Sequence, residues 1–173
     1  RDGTQSEDFQ ESVPEKLMLT ELLDDFGITY IEGGWPGSNP RDEAFFKEVR
    51  SLNLSHARIA AFGATRRASL TCEEDSNVQA LVGAQTPVVT VFGKASKYQA
   101  TTALGVEPEQ NLELVHDTVQ YLKSRVDEVI FDAEHFFDGA AEDEEYVMKV
   151  LEAASQAGAD FMVLCDTNGG SMP

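Results

Sequence analysis

Apolar positions recur along this chain in two patterns that alternate. Leu19, Leu22, Leu23 and Phe26 fall at i, i+3, i+4 and i+7, one face of a helix. Ser12-Val13-Pro14-Glu15 ahead of them has the spacing of a capping box, with Pro near the first turn. Gly27 follows where a left-handed residue would end the helix. Ile28–Ile31 then reads as a short strand that runs into Glu32-Gly33-Gly34. The unit returns near the end of the chain. Val147, Val150, Leu151 and Ala154 make a helical face, Gly158 closes it, and Phe161–Leu164 reads as a buried strand ending at Cys165-Asp166.

Further strands are predicted at Ala57–Phe62, Val88–Phe92 and Val129–Phe131, with helices around 42–52, 74–84 and 109–125. In the last of these helices, Leu112, Val115, Val119 and Leu122 form the apolar face. Strand starts about 30 residues apart, with a helix between each pair, predict an α/β chain whose parallel sheet is covered on both faces. Two architectures fit, an open doubly wound sheet and a (β/α)8 TIM barrel. Every predicted strand runs into polar or Gly-containing sequence at its C-terminal end: Glu32, Lys94, Asp132 with Glu134, and Asp166-Thr167-Asn168. A barrel gathers its site from many strand ends, whereas an open sheet concentrates it at one switch point. With neither G-x-G-x-x-G nor a P-loop present, the barrel is favoured.

Residue 1 is Arg, and both ends fall on polar, Gly-containing loops. The reading is therefore a fragment: residues 1–173 as a partial TIM-barrel catalytic domain of about six of the eight βα units in a barrel near 250 residues. The start of strand 1, strands 7 and 8 and any C-terminal regulatory domain would lie outside it.

Composition excludes several functions. Of 173 residues, 31 are Asp or Glu and 13 are Lys or Arg, for a net charge of −18, which opposes binding to nucleic acid or to an anionic membrane. No apolar run approaches the roughly 18 residues of a membrane helix, and no leader pattern opens the chain. Cys72 and Cys165 are too few and too distant for a disulfide framework or zinc ribbon and read as reduced thiols, with Cys165 buried. A cytoplasmic location is expected.

Three short segments could carry chemistry. Arg1-Asp2-Gly3 sets a guanidinium, suited to a developing oxyanion, beside a carboxylate, suited to a hard divalent cation. Asp132-Ala133-Glu134-His135 ends a strand with groups for acid/base or metal chemistry, and alternation puts Asp132 and Glu134 on one side with His135 on the other. Asp166-Thr167-Asn168-Gly169-Gly170 could hold a substrate carboxylate, or could be an Asx turn. Arg66-Arg67, the only Arg pair, could meet the phosphates of an anionic cofactor such as coenzyme A, or could be two solvated residues.

Together these segments resemble a known family. Arg1-Asp2-Gly3-Thr4-Gln5 is similar to the R-D-G-x-Q motif that closes strand 1 in the α-isopropylmalate, homocitrate and citramalate synthases, acyl-CoA-dependent condensing enzymes on metallolyase-type TIM barrels. Tyr30-Ile31-Glu32-Gly33-Gly34-Trp35-Pro36-Gly37-Ser38-Asn39-Pro40, Ala60–Arg67, Val91–Lys94, Asp132–Gly139 and Cys165–Gly170 resemble the citramalate synthase branch, in order along the whole chain. The resemblance implies condensation of pyruvate with acetyl-CoA and water to citramalate and CoA, on the isoleucine pathway, assisted by a divalent metal and carried out by a homodimer. It implies Asp2 as a metal ligand, Arg1 at the keto oxygen, Glu134 as the glutamate that activates the acetyl methyl group, and Thr167 on the keto-acid carboxylate. Gln5, Glu32, His135 and Asn168 would support these groups, and Arg66 and Arg67 would reach CoA. Mg²⁺ or Mn²⁺ suits the carboxylate, while Zn²⁺ or Co²⁺ would also suit His ligands. The family's H-x-H ligand pair does not occur in this sequence, whose three His are far apart, so the expectation is that this piece alone neither holds the metal properly nor turns over. Isopropylmalate or homocitrate synthase activity, and a non-catalytic barrel, are the alternatives.

Overall fold

The computed structural model describes Gly3 and residues 11–171. Helices and strands alternate through them: α1 (Val13–Asp25), β1 (Tyr30–Gly34), α2 (Pro40–Glu48), β2 (Arg58–Ala64), α3 (Ser76–Gly83), β3 (Val88–Lys94), α4 (Lys97–Gln99), α5 (Pro108–Lys123), β4 (Glu128–Glu134), α6 (Phe136–Gln156) and β5 (Phe161–Leu164). A short 3-10 turn, Val49–Ser51, extends α2, and a π turn, Ala100–Leu104, extends α4.

The strands are parallel and lie in the order β1-β2-β3-β4-β5. Among the described residues each strand pairs only with its neighbours in sequence, with no reversal of direction across the sheet such as a doubly wound fold requires. The helices cover one face. On β4, Val129, Phe131 and Ala133 are fully buried against them, while Glu128, Ile130, Asp132 and Glu134 on the other face are half-buried. Sequential order and one-sided helical cover make this sheet an arc of a TIM barrel. The expected cover on both faces is corrected accordingly: the second face is the one that lines the barrel.

The repeated unit read from the sequence is present twice in matching detail. Ser12 Oγ accepts from Glu15 N, and the Glu15 carboxylate accepts from Ser12 N at 2.7 Å, completing the capping box. Gly27 (φ +88°) and Gly158 (φ +97°) both take the left-handed conformation. Ile28 N donates to Leu23 O and Ala159 N to Ala154 O, each at 3.0 Å, so both helices close alike before their strands.

Three local expectations are corrected. Of the expected apolar face of α1, Leu23 packs against the core, but Leu19, Leu22 and Phe26 are exposed (40%, 58% and 81%), and Lys16, Thr20 and Asp24 turn inward. All three have partners: Lys16 Nζ bonds Asp42 Oδ1 at 2.9 Å, Thr20 Oγ1 bonds Lys16 O at 2.8 Å, and the Asp24 carboxylate accepts the amides of Ser55, His56 and Ala57. Satisfied polar groups can be buried, so the inward side of α1 combines these three with Leu23 instead of following the whole apolar stripe. Strand β5 is exposed along its length because, among the described residues, it pairs only with β4. Cys165, past the end of β5, is half-buried rather than buried.

Candidate functional site at the C-terminal ends of the strands

Strands β1–β4 extend two to three residues past their predicted ends, which brings polar residues onto the ladder, while β5 ends at Leu164 as expected. Lys94 and Glu134 are the last register partners of β3 and β4. Alternation directs both, with Phe92 and Asp132, to the face away from the helices. Lys94 Nζ is ion-paired with Glu134 Oε2. The ammonium also lies 5.5 Å from the centroid of the Phe92 ring. Phe92 stacks on Phe62 at 5.2 Å, and Trp35 meets Phe92 and Phe62 edge-on at 5.6 and 6.0 Å. A charged pair thus stands beside an aromatic wall contributed by β2, β3 and the loop after β1.

The backbone beneath the pair is fixed. Ala95 N donates to Glu134 O at 2.8 Å. Buried Asn111 donates from Nδ2 to Lys94 O at 2.8 Å and contacts the Tyr146 hydroxyl at 2.9 Å. Gly93 is required here, because a Cβ would lie 2.9 Å from Phe131 Cε2 and 3.0 Å from Val115 Cγ2.

His135 follows Glu134 in the left-handed conformation (φ +58°), which turns the chain sharply into α6. Its N–H donates to Thr167 Oγ1 at 2.8 Å, and its Nδ1 lies 3.1 Å from Asp138 Oδ2. Asn168 Nδ2 donates to the same Asp138 oxygen at 2.6 Å. Phe136 N to Cys165 O and Cys165 N to Ala133 O, both 3.2 Å, complete a network that joins the ends of β4 and β5. The Asp166 carboxylate accepts from Ser171 N (2.9 Å), Gly170 N (3.2 Å) and Ser171 Oγ (3.2 Å). The Ser171 amide foremost holds Asp166 below the usual carboxylate range, as expected of an Asx turn that shapes this loop.

Glu134, His135, Thr167 and Asn168 therefore come together, while Glu32 lies on the ladder of β1 rather than beyond it. Arg1, Asp2 and Gln5 lie outside the described residues. The two arginines line one cavity but differ in their bonds. Arg66 bonds Asp117 Oδ2 (2.7 Å) and Leu70 O (3.0 Å), pinning the loop after β2 to α5. Arg67 is exposed and lines a cavity of about 280 Å³ with Lys94, Phe92, Leu104 and Val106. Lys94 is not among the residues that the motifs single out. The signal was there: Phe92-Gly93-Lys94 and Asp132-Ala133-Glu134 have the same alternation, so the two charged residues share a face. Asn111, a polar residue on an otherwise apolar helix face, gave no such signal. Among the described residues no three His, Cys, Asp or Glu side chains could hold a metal ion, so these residues alone do not fit the divalent cation that the resemblance implies.

A TIM-barrel arc with charged and aromatic residues at its strand ends is the class that fold and site define. The chain belongs to the HMGL-like family, whose model matches residues 1–173. It is 53% identical over 173 residues to the (R)-citramalate synthase of Aquifex aeolicus, a match that covers all of this chain and 33% of that protein. Identity to the (R)-citramalate synthase of Geobacter sulfurreducens is also 53%, with the same coverage. The 2-isopropylmalate synthase of Oceanobacillus iheyensis is 31% identical, across all of this chain and 32% of that protein. The chain spans about a third of the length of these curated relatives. Among solved structures, the hydroxymethylglutaryl-CoA lyase of Pseudomonas aeruginosa superposes with a TM-score of 0.74 at 22% identity, covering 99% of this chain and 57% of that one. The HMG-CoA lyase of Brucella melitensis gives 0.75 at 18%, covering 100% and 60%. These two likenesses establish the fold.

Proposed function

We propose that the protein containing this chain is an acyltransferase that condenses acetyl-CoA with pyruvate and water to give citramalate and CoA. The observation that carries the reading is the setting of Glu134, a carboxylate at the last inward rung of β4, beside an aromatic wall and next to the Thr167 loop. Glu134 removes a proton from the acetyl methyl group, and the resulting carbon nucleophile forms a C–C bond to the keto carbon of pyruvate. The keto oxygen becomes a hydroxyl after protonation, with Arg1 stabilising its charge, and the Thr167 hydroxyl bonds the pyruvate carboxylate. Water then cleaves the thioester, releasing CoA as the thiol. Gln5, Glu32, His135 and Asn168 hold these groups in place. Arg67, which is exposed at the cavity edge, contacts CoA phosphate, while Arg66 is committed to Asp117.

The reading includes a divalent metal, with Asp2 as one ligand and the others outside the described residues. It also includes a homodimer, a cytoplasmic location, a place in isoleucine synthesis, and residues 1–173 as part of a larger barrel. Pyruvate is favoured over larger keto acids because Trp35, Phe62 and Phe92 fill the space beside Glu134 with three packed rings. Identities of 43–53% to (R)-citramalate synthases, against 30–32% to 2-isopropylmalate synthases, support the same choice. The test is CoA thiol release by the full-length protein with pyruvate, 2-ketoisovalerate and 2-oxoglutarate in turn. Pyruvate should give the highest kcat/KM; indifference to pyruvate would overturn the reading.

A further inference from the structure

Lys94 takes its place in the site from three independent features. It ends β3 as the register partner of Glu134, so the two side chains leave adjacent strands on the same face. Its ammonium is ion-paired with Glu134 Oε2 and rests over the Phe92 ring, which is itself braced by Phe62. Its carbonyl is held by buried Asn111, and the next residue's N–H is bonded to the Glu134 carbonyl, so both backbones are fixed beneath the pair. The two side chains are largely withdrawn from solvent (17% and 23% exposed), unlike the exposed i,i+4 pairs Lys47–Glu43 and Lys149–Glu145 on the helices.

A carboxylate that must take a proton from a carbon acid needs a fixed direction, because its reacting oxygen has to meet a C–H bond that offers no hydrogen bond of its own. On β4 the Glu134 side chain has two oxygens, and among the described residues only Oε2 is bonded, to Lys94. We propose that Lys94 is the positioning residue of this site: it anchors Glu134 through Oε2 and leaves Oε1 directed at the acetyl methyl group. The inference rests on the reading of Glu134 given above. Lys94 touches neither substrate in this account. Its effect passes wholly through Glu134.

The test uses the full-length protein and four variants, Lys94→Met, Lys94→Arg, Glu134→Asp and the double variant Lys94→Met/Glu134→Asp, with thermal unfolding recorded for each. Lys94→Met should lower kcat about 10²-fold, the scale of a misplaced reacting group, with the KM for pyruvate and for acetyl-CoA little changed. Lys94→Arg, which can still reach the carboxylate, should recover part of that rate. Glu134→Asp shortens the side chain and breaks the same contact, so adding Lys94→Met to it should cost little more. The inference is overturned if the two losses multiply, if Lys94→Met raises a KM and spares kcat, if a folded Lys94→Met protein keeps its full rate with less stability, or if a folded Lys94→Arg protein recovers none of the lost rate. A wild-type protein that releases no CoA with any of the three keto acids would defeat the functional reading itself, and this inference with it.

Discussion

The backbone N–H of His135 donates to Thr167 Oγ1 at 2.8 Å, tying the turn after β4 to the loop after β5. Because Thr167 Oγ1 accepts from His135, its own O–H remains available to donate to a substrate carboxylate. Thr167→Val removes both bonds, while Thr167→Ser keeps them. Thr167→Val should raise the KM for pyruvate about tenfold, equivalent to about 1.4 kcal/mol, and Thr167→Ser should stay near wild type in steady-state kinetics.

The aromatic wall predicts keto-acid selectivity. Trp35 packs on Phe62 and Phe92 and is fixed by its Nε1 bond to Asn77 Oδ1. Trp35→Ala should open room beside Glu134 and shift kcat/KM toward 2-ketoisovalerate relative to pyruvate. A change of about 10–200-fold in the ratio corresponds to one methylene group in an apolar pocket. Competition between the two keto acids, read by product mass, checks it.

The Lys16–Asp42 pair is buried and shared. Asp42 Oδ1 accepts from Lys16 Nζ, and Oδ2 accepts from Trp35 N at 2.9 Å and Asn39 Nδ2 at 3.2 Å, so one carboxylate joins α1, the loop after β1 and the cap of α2. Lys16→Met leaves that carboxylate buried without its counter-charge. Urea unfolding should show a loss of about 3–5 kcal/mol.

Asp24 links stability to pH. The amides of Ser55 and Ala57, and then that of His56, hold its carboxyl below the usual carboxylate range in the folded chain. A folded pKa below the unfolded value, about 3.9, means that the stabilisation is present above that value and is lost as pH falls through the folded one. Asp24→Asn should therefore lower the melting temperature at pH 7 and flatten the fall in stability on the acid side. Thermal unfolding across pH 2–7 would detect an unchanged acid limb, which would contradict this.

Gly33 and Gly34 test how tightly β1 meets α2. A Cβ on Gly33 would overlap Phe45 Cε1, and one on Gly34 (φ +130°) would lie 2.5 Å from Asp42 Oδ2. Gly33→Ala should cost about 1–3 kcal/mol through overpacking against a fully buried ring, measured by the same urea titration.

Order and spacing of elements were legible because helix period, capping box, closing glycines and short apolar strands agree at each repeat, as in Phe26-Gly27-Ile28 and Ala157-Gly158-Ala159. Strand ends were misplaced because Lys94 and Glu134 are polar yet sit on the ladder, facing the barrel. The buried side of α1 is only partly legible, through Leu23, because Lys16 and Asp24 find partners in tertiary contacts, with Asp42 and with residues 55–57, which local period does not encode. The place of Glu134 at the polar end of β4 is legible from its strand-end position; its pairing with Lys94 needs the register of two strands about 40 residues apart.

The central claim is a new carbon–carbon bond from the acetyl methyl group to the keto carbon of pyruvate, begun by proton removal at Glu134. It is tested most directly by incubating the full-length protein with acetyl-CoA deuterated in the methyl group and unlabelled pyruvate, and weighing the product acid. The account predicts citramalate carrying two of the three deuteriums, with one lost in the step that Glu134 performs, and almost no product from Glu134→Gln. Absence of labelled citramalate, or undiminished formation by Glu134→Gln, would contradict it.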